Sequence, residues 1–152
     1  MTRFVPIDAG PLGLDCCDPA QPEARRCRSW LDGLVAAGIV VMILTTADYE
    51  VRRELLRVGA SSKLRRLDEF RGRFGMLDIT ADALDRASAF WADLRRRGLP
   101  TAGAESLDAD AILAGMAATI GQPGDRVTVA TTNVRHLDRF PGVEARDWRT
   151  IG

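Results

Sequence analysis

Residues 39–55 read IVVMILTTADYEVRREL, and this stretch decides the fold class. The segment Ile39–Leu44 is apolar, uninterrupted and rich in β-branched side chains, which is typical of a strand that is buried on both faces. Thr45 and Thr46 supply a cap for a helix, and Gly59 is placed to end it. The sequence therefore predicts a buried strand that leads directly into a helix.

The same alternation of apolar strands and amphipathic helices recurs on both sides of this stretch. The predicted strands are Phe4–Ile7, Ile39–Leu44, Met76–Ile79 and Val127–Thr131, with helical spacing between them. Residues 9–13, AGPLG, are predicted as a turn. Strands that alternate with helices indicate a mostly parallel sheet with helices on both faces. We expect an α/β fold, a three-layer α/β/α sandwich with a central sheet of four to five strands, as one domain over residues 1–152.

The composition limits the classes of function. Hydrophobic residues make up 46% of the chain and charged residues 28%, which is typical of a globular protein and not of a disordered one. Basic and acidic residues balance at 21 each, so nucleic-acid binding would need a local basic patch. The three cysteines and one histidine show no zinc-type spacing and suggest no disulfide framework.

No segment has the pattern of an export signal or a membrane span. The N-terminal residues MTRFVPIDAG reach an acidic side chain too early for a signal peptide. The longest uncharged stretch, residues 33–47, is shorter than the roughly 20 residues that cross a bilayer. We therefore expect a soluble, cytoplasmic protein that does not contact a membrane.

Acidic side chains occur where the predicted strands end and where helices begin. Asp8 ends the first strand, and Glu50 lies about one turn into the helix after the second. Asp108 and Asp110 open the helix that leads into the fourth strand. Ligands of an open parallel sheet bind beyond the carboxyl ends of its strands, so we expect these four carboxylates to meet there.

Carboxylates that crowd together need a counter-charge, because burying them unpaired costs several kcal/mol. Mg²⁺ and Mn²⁺ prefer oxygen ligands and need no histidine or cysteine. Thr131 and Asn133 directly follow the fourth strand and would add oxygen atoms at the same edge. Arg52 and Arg53, which lie close to Glu50, are candidates to bind substrate phosphates. The chemistry that suits this set is metal-dependent phosphodiester hydrolysis.

Each acidic residue by itself also has an ordinary explanation. Asp8 suits a turn, Asp108 suits a helix cap, and Glu50 suits a solvated helix position that pairs with arginine. Only their coincidence at one predicted edge favours a site.

Four segments resemble the PIN-domain nucleases in order and spacing, over nearly the whole chain. They are IDAGPL at 7–12, ADYEVRREL at 47–55, LDADAILAG at 107–115 and VATTNVRHLDRF at 129–140. The resemblance implies that Asp8, Glu50 and Asp110 form a metal site, with Asp108 as an additional acid. The family often has a further acid near the last segment, where this chain has Asn133 and His136.

The resemblance also implies an activity and partners. Many bacterial members are VapC-type toxins, small ribonucleases that a cognate antitoxin inhibits and that commonly form homodimers. The chain would then be an endoribonuclease that depends on Mg²⁺ or Mn²⁺. Its target would be single-stranded or looped RNA, whose bases are exposed.

Two other functions fit parts of the sequence. Asp108, Ala109 and Asp110 form a D-x-D pattern, which occurs in metal-dependent nucleotide-sugar transferases, but that function leaves Asp8 and Glu50 unused. The second alternative is a catalytically weak or inactive RNA-binding or protein-interaction module of the PIN type. Asn133 and His136, in positions where an acid is common, favour this alternative.

Overall fold

The computed structural model describes residues 1–98 and 104–152. Its strands and helices, in chain order, are β1 (Arg3–Ile7), α1 (Ala9–Asp15), α2 (Pro22–Ala36), β2 (Val40–Leu44), α3 (Thr45–Val58), α4 (Ser61–Phe74), β3 (Met76–Leu77), α5 (Ala81–Arg97), α6 (Ala104–Ala118), β4 (Arg126–Thr131), α7 (Val134–Leu137) and β5 (Glu144–Asp147). A short 3₁₀ turn, Trp148–Thr150, follows β5.

The five strands form one sheet in the order β3-β2-β1-β4-β5, and every pair is parallel. The apolar strands lie at its centre because both of their faces are covered: Ile7, Ile43 and Val129 are fully buried. The α/β fold with a parallel sheet flanked by helices, predicted from the sequence, is confirmed. The fifth strand, EARD, carries three charged residues and is an edge strand, paired with β4 alone.

The strand order creates a crevice at one place in the sheet. The connection from β1 leads to β2 on one side, whereas β4 and β5 lie on the other side of β1. Helices that leave two neighbouring strands in opposite directions leave a gap at the carboxyl ends of those strands, and ligands of such sheets bind there. The carboxyl ends of β1 and β4 meet at Ile7 and Ala130, which are paired in register.

Several local predictions were wrong. Thr45 and Thr46 lie in the first turn of α3 and do not cap it, because the N-cap residue is Leu44. AGPLG forms the first turns of helix α1 and is not a turn, because the Asp8 carboxylate accepts a hydrogen bond from the Ala9 N–H at 2.7 Å and caps the helix. Pro11 is tolerated there, since the first turn of a helix leaves its N–H groups unused. Strand β3 is only two residues long and ends at Leu77 rather than Ile79.

Helices α5 and α6 pack closely through a glycine. A Cβ built on Gly115 would lie 2.3 Å from the Ala83 carbonyl oxygen and 2.9 Å from the Ala87 nitrogen. Both atoms belong to the backbone of α5, so they cannot move aside as the end of a flexible side chain would. Gly115 therefore sets how closely α6, which carries Asp110, lies against α5.

No helix within residues 1–98 or 104–152 combines the length and the apolar character needed to span a bilayer.

We predict that Gly115→Ala lowers the free energy of unfolding by about 1–3 kcal/mol, because the added methyl group overpacks the α5–α6 contact. Urea denaturation measures the change. Gly72→Ala in α4 is the matched control: a Cβ there meets nothing within 4 Å, so the substitution should raise stability by about 0.5–1 kcal/mol. Equal stability of Gly115→Ala and the wild type would contradict the close contact.

Candidate active site at the carboxyl edge of the sheet

Asp8 lies at the end of β1, and two hydrogen bonds orient its carboxylate. Its Oδ1 accepts from the Ala9 N–H at 2.7 Å, and its Oδ2 accepts from the Thr131 hydroxyl at 2.7 Å. Thr131 ends β4 and is fully buried. Its Oγ1 in turn accepts from the backbone N–H of Asn133 at 2.9 Å. The pairing of β1 with β4 therefore fixes Asp8 in one orientation.

A second glycine lets α1 approach this edge. A Cβ built on Gly10 would lie 2.4 Å from Oγ1 of Thr132, in the loop that follows β4. A larger residue at this position would have to displace the exposed Thr132 side chain.

Glu50 reaches the same edge from α3. Its side chain is half-buried, and its pKa is raised above the ordinary value. Burial is the largest cause, the negative charges of Asp8 and Asp110 raise it further, and the positive charge of Arg53 opposes them. These charge effects show that the three carboxylates are electrostatically coupled.

Asp110 comes from α6, and two cationic or polar groups hold one of its oxygens. Oδ2 accepts from Nη2 of Arg139 at 2.9 Å and lies 3.2 Å from Nδ1 of His136. The pKa of Asp110 is nevertheless raised, chiefly by burial, with Asp8 adding to the rise and His136 and Arg139 opposing it. Its Oδ1 accepts no hydrogen bond from any described residue.

Asp8, Glu50 and Asp110 line one cleft of about 170 Å³, together with the side chains of Asn133 and His136. The cleft continues into a wider groove of about 550 Å³. Glu50, Asp110, Asn133 and His136 line both. The structure therefore brings three of the four predicted acids to the crevice between β1 and β4.

The oxygen-rich lining of the cleft is the donor set that Mg²⁺ and Mn²⁺ prefer. Burial is the largest cause of the raised pKa values of Glu50 and Asp110, and the charge of Asp8 adds to both. In the part of the chain that the structure describes, no three His, Cys, Asp or Glu side chains stand close enough to share one ion. The residues therefore fit a divalent cation by the chemistry of their oxygen donors, whereas their spacing in this structure does not form a three-ligand site.

Asp108, which the sequence predicted as a further metal ligand, lies on another face of α6. It is exposed and lines a groove against α5, beside Leu84, Trp91 and Ile112. Two positions along a helix correspond to a rotation of about 200° around its axis, so the side chains of Asp108 and Asp110 lie on nearly opposite faces and do not line the same cleft. The helix also begins at Ala104, which places both aspartates inside it rather than at a cap. The same geometry argues against a D-x-D site.

Arg52 also lies away from the cleft, although the sequence predicted that it binds substrate. Its guanidinium group pairs with Asp48 at 3.0 Å and with Asp68 at 2.9 Å, on the side of α3 that faces α4. Arg53 does line the wider groove beside Glu50. Of the two predicted arginines, only Arg53 lies beside the cleft.

Two residues that support the site were missed at the level of the sequence. Asp48 is 3% exposed and accepts hydrogen bonds from Arg52 and from Arg71 of α4, at 3.0 Å and 2.8 Å. Burial acts to raise the pKa of Asp48, but these two hydrogen bonds outweigh it and leave the pKa lowered. The i, i+4 spacing of Asp48 and Arg52 was visible in the sequence, whereas the partner from α4 was not.

Arg139 was missed because only folding brings it to Asp110.

Solved structures show a close likeness to this fold. A chain of the Rickettsia felis VapBC2 complex, solved with a DNA fragment from its promoter, has a TM-score of 0.74 and 16% identity, covering 95% of this chain and 98% of that chain. A chain of DNA-bound VapBC from Salmonella typhimurium has a TM-score of 0.71 and 24% identity, over 97% and 99% of the two chains. The chain has the PIN-type fold.

A third PIN-type likeness is VapBC-1 from nontypeable Haemophilus influenzae, with a TM-score of 0.66 and 12% identity, over 95% of this chain and 98% of that chain. No protein-family model and no curated protein sequence matches the chain. At these identities the comparisons establish the fold, and the resemblance to the PIN fold that the sequence predicted is confirmed. An inference about activity must therefore come from the residues at the crevice.

We predict that Glu50→Gln raises the melting temperature of the metal-free protein at neutral pH. The raised pKa of Glu50 means that its ionisation disfavours the folded state. The stability that comes with the protonated group is present in acid and is lost as pH rises through the folded-state pKa. The rise in melting temperature should therefore be largest above that pKa, at about 2–4 °C for each 1 kcal/mol of added stability, and absent below it.

Glu54→Gln is the control for this measurement, since Glu54 is exposed and pairs with Arg57, which lowers its pKa. Thermal unfolding of both variants across pH should show a gain for Glu50→Gln alone. A lower melting temperature for Glu50→Gln at neutral pH would contradict the conclusion that burial and the neighbouring carboxylates disfavour the ionised form of Glu50 in the folded state.

We predict that Asp48→Asn lowers the free energy of unfolding by about 3 kcal/mol, because it leaves two arginines facing a buried neutral amide. Asp68→Asn removes an exposed partner of Arg52 and should cost less than about 1 kcal/mol. Since the folded-state pKa of Asp48 is lowered, its stabilisation is present above the unfolded pKa and is lost as pH falls through the folded one. Urea denaturation at neutral and acidic pH tests both parts, and similar losses for the two variants would contradict the assignment.

Proposed function

We propose that the chain is an endoribonuclease that depends on Mg²⁺ or Mn²⁺ and hydrolyses RNA phosphodiester bonds, as the toxin of a toxin–antitoxin pair. One observation carries the proposal: Asp8, Glu50 and Asp110, from three distant segments, line a single cleft at the crevice between β1 and β4. The PIN-type fold supports it. An RNA substrate would place this activity in the cytoplasm, and residues 1–152 would act as one domain.

Asp8, Glu50 and Asp110 would hold the cation, with Thr131 and Asn133 in support. When bound, the ion supplies positive charge to the substrate phosphate and makes water more acidic. The Thr131 hydroxyl keeps Asp8 Oδ2 oriented, and Arg139 and His136 occupy Asp110 Oδ2, so that Oδ1 is the oxygen left to the cleft. Glu50, which reaches the cleft from α3, would help to position the attacking water as well as to hold the cation.

The substrate would enter through the wider groove. Arg53 lines this groove, and it is the predicted arginine whose charge faces the cleft rather than a buried aspartate. Its guanidinium group would donate hydrogen bonds to phosphate oxygens on the strand next to the cleaved bond. Single-stranded RNA fits this open groove, because its backbone can bend into the cleft and its bases are not paired.

A VapB-type antitoxin and a second copy of the chain are the proposed protein partners. The three similar structures are VapBC complexes, which supports an antitoxin partner. Large apolar side chains on α3 and α5 are exposed, namely Leu56, Val58, Leu84 and Trp91, and they would supply contact area for a homodimer.

A second function, RNA binding without catalysis, is favoured by one specific observation. Arg139 and His136 already partner Asp110, and Asn133 takes the place of an acid that is common in the family. Both features reduce the negative charge available to a cation. A protein of this kind would bind RNA, would cleave none of it with Mg²⁺ or Mn²⁺, and would show no rise in melting temperature with either ion.

We predict that Asp110→Asn and Asp8→Asn lower the rate of RNA cleavage by more than about 100-fold, since loss of a ligand should exceed the usual 10- to 100-fold cost of losing a residue that supports one. Asp108→Asn is the matched control, because Asp108 lies on the same helix but in the groove against α5. It should retain the wild-type rate.

The assay uses fluorescent single-stranded RNA with Mn²⁺ or Mg²⁺, with EDTA as the metal-free reference and circular dichroism to confirm folding. Cleavage by Asp110→Asn at the rate of a wild type that is active above the EDTA background would reject the site. An equal loss of cleavage rate for Asp108→Asn would show that the groove against α5 matters for activity as much as the cleft does.

A further inference from the structure

The groove beside the carboxylates carries an exposed aromatic ring that the proposed chemistry does not use. Tyr49 is 62% exposed and lines this groove, one position before Glu50 in α3. We propose that Tyr49 and Arg53 form a subsite for a nucleobase: the tyrosine ring stacks on one unpaired base of an RNA strand whose neighbouring phosphate lies at the carboxylates. This inference rests on the proposed function.

Arg53 holds the ring in place. Its guanidinium carbon lies 5.1 Å from the centre of the Tyr49 ring, in the range of a cation–π contact. The two residues are four positions apart and therefore share one face of α3. Among the described residues, Arg53 has no acidic partner within ion-pair distance, so its charge remains available to a phosphate. One ring face is thus oriented by arginine, and much of the ring remains exposed to solvent.

The composition of the groove matches one nucleotide. Thr46 and Ile112 lie on its walls, so it offers both polar and apolar surface beside the ring, and Glu50 and Asp110 line the end that adjoins the cleft. A base would stack on Tyr49 while the phosphate next to it meets Arg53 and the carboxylate end. Stacking on an aromatic ring accepts any base, and a paired base in a duplex has no free face to offer. The subsite therefore selects for single-stranded RNA.

The helix also exposes Leu56 and Val58, which could make this face of α3 a protein-binding surface instead. Neither residue lines the groove, whereas Tyr49 and Arg53 do. The charge of Arg53 is also complementary to a phosphate. These two observations favour RNA as the occupant, and a protein interface becomes an outcome of the test.

Tyr49 is the only tyrosine in the chain, so 3-fluorotyrosine labelling gives one ¹⁹F resonance that reports on this ring. The probe is a fluorescent pentanucleotide, rA₅, titrated into the full chain with Ca²⁺ in place of Mg²⁺ to slow cleavage. A second pentanucleotide has the same backbone with all five bases removed. We expect the resonance to shift on binding of rA₅, and we expect no such shift with the fully abasic strand.

Three variants accompany the titration. Tyr49→Ala should weaken binding about 10- to 100-fold, and Tyr49→Phe, which keeps the ring, should bind as the wild type does. Val35→Ala removes an exposed apolar side chain from α2, outside the groove, and it should leave RNA affinity unchanged. In cleavage assays with Mn²⁺, Tyr49→Ala should raise KM more than it lowers kcat.

The outcomes separate this inference from the proposed function. Unchanged RNA affinity in Tyr49→Ala, with metal-dependent cleavage by the wild type, would overturn the subsite and leave the nuclease proposal intact. RNA binding that depends on Tyr49, without any cleavage, would support the subsite and overturn the nuclease proposal. A change of oligomeric state in Tyr49→Ala, measured by light scattering, without a shift of the ¹⁹F resonance on adding RNA, would assign the ring to a protein interface and overturn the subsite.

Discussion

The parallel pairing of β1 with β4 is the constraint on which the rest of the structure depends. It joins the N-terminal strand to one that begins at Arg126, and it places their carboxyl ends side by side. The Asp8 N–H donates to the Ala130 carbonyl at 3.0 Å, which continues the ladder one step beyond β1. The Thr131 hydroxyl then reaches the Asp8 carboxylate. The crevice and the orientation of its first acid follow from the same strand pair.

The cleft keeps carboxylates together against their mutual repulsion. Arg139 and His136 partially offset the charge of Asp110, and Arg53 partially offsets that of Glu50, yet the pKa of each of these two acids remains raised. A fold selected for stability alone would pair or solvate these groups. Burial is the largest cause of both shifts, and buried carboxylates with raised pKa values occur often at functional sites.

Two residues outside the cleft fix the helices that carry its acids. Asp48, buried one turn from the start of α3, ties that helix to α4 through Arg71, and so fixes where Glu50 projects. Gly115 lets α6 lie directly on the backbone of α5, and so fixes where Asp110 projects. Neither residue touches the cleft. Side chains on supported helices and strands keep their geometry better than side chains on loops do, which is what a catalytic site requires.

The sequence by itself determined the parallel α/β fold, because strand and helix periodicity are local properties of the chain. It also predicted that Asp8, Glu50, Asp108 and Asp110 meet at the strand ends, and the structure brings three of the four to one cleft. The sequence did not distinguish Asp108 from Asp110 as a site residue, because both positions suit the start of a helix and the true start, Ala104, was not predicted. It also read AGPLG as a turn, because glycine and proline favour turns and the cap made by Asp8 is a property of the folded backbone. Only the tertiary structure decided that Arg52 serves Asp48 while Arg53 serves the cleft, and that Arg139 reaches Asp110. Those pairings join residues from different elements, and their distances are set by helix packing, which no local pattern encodes.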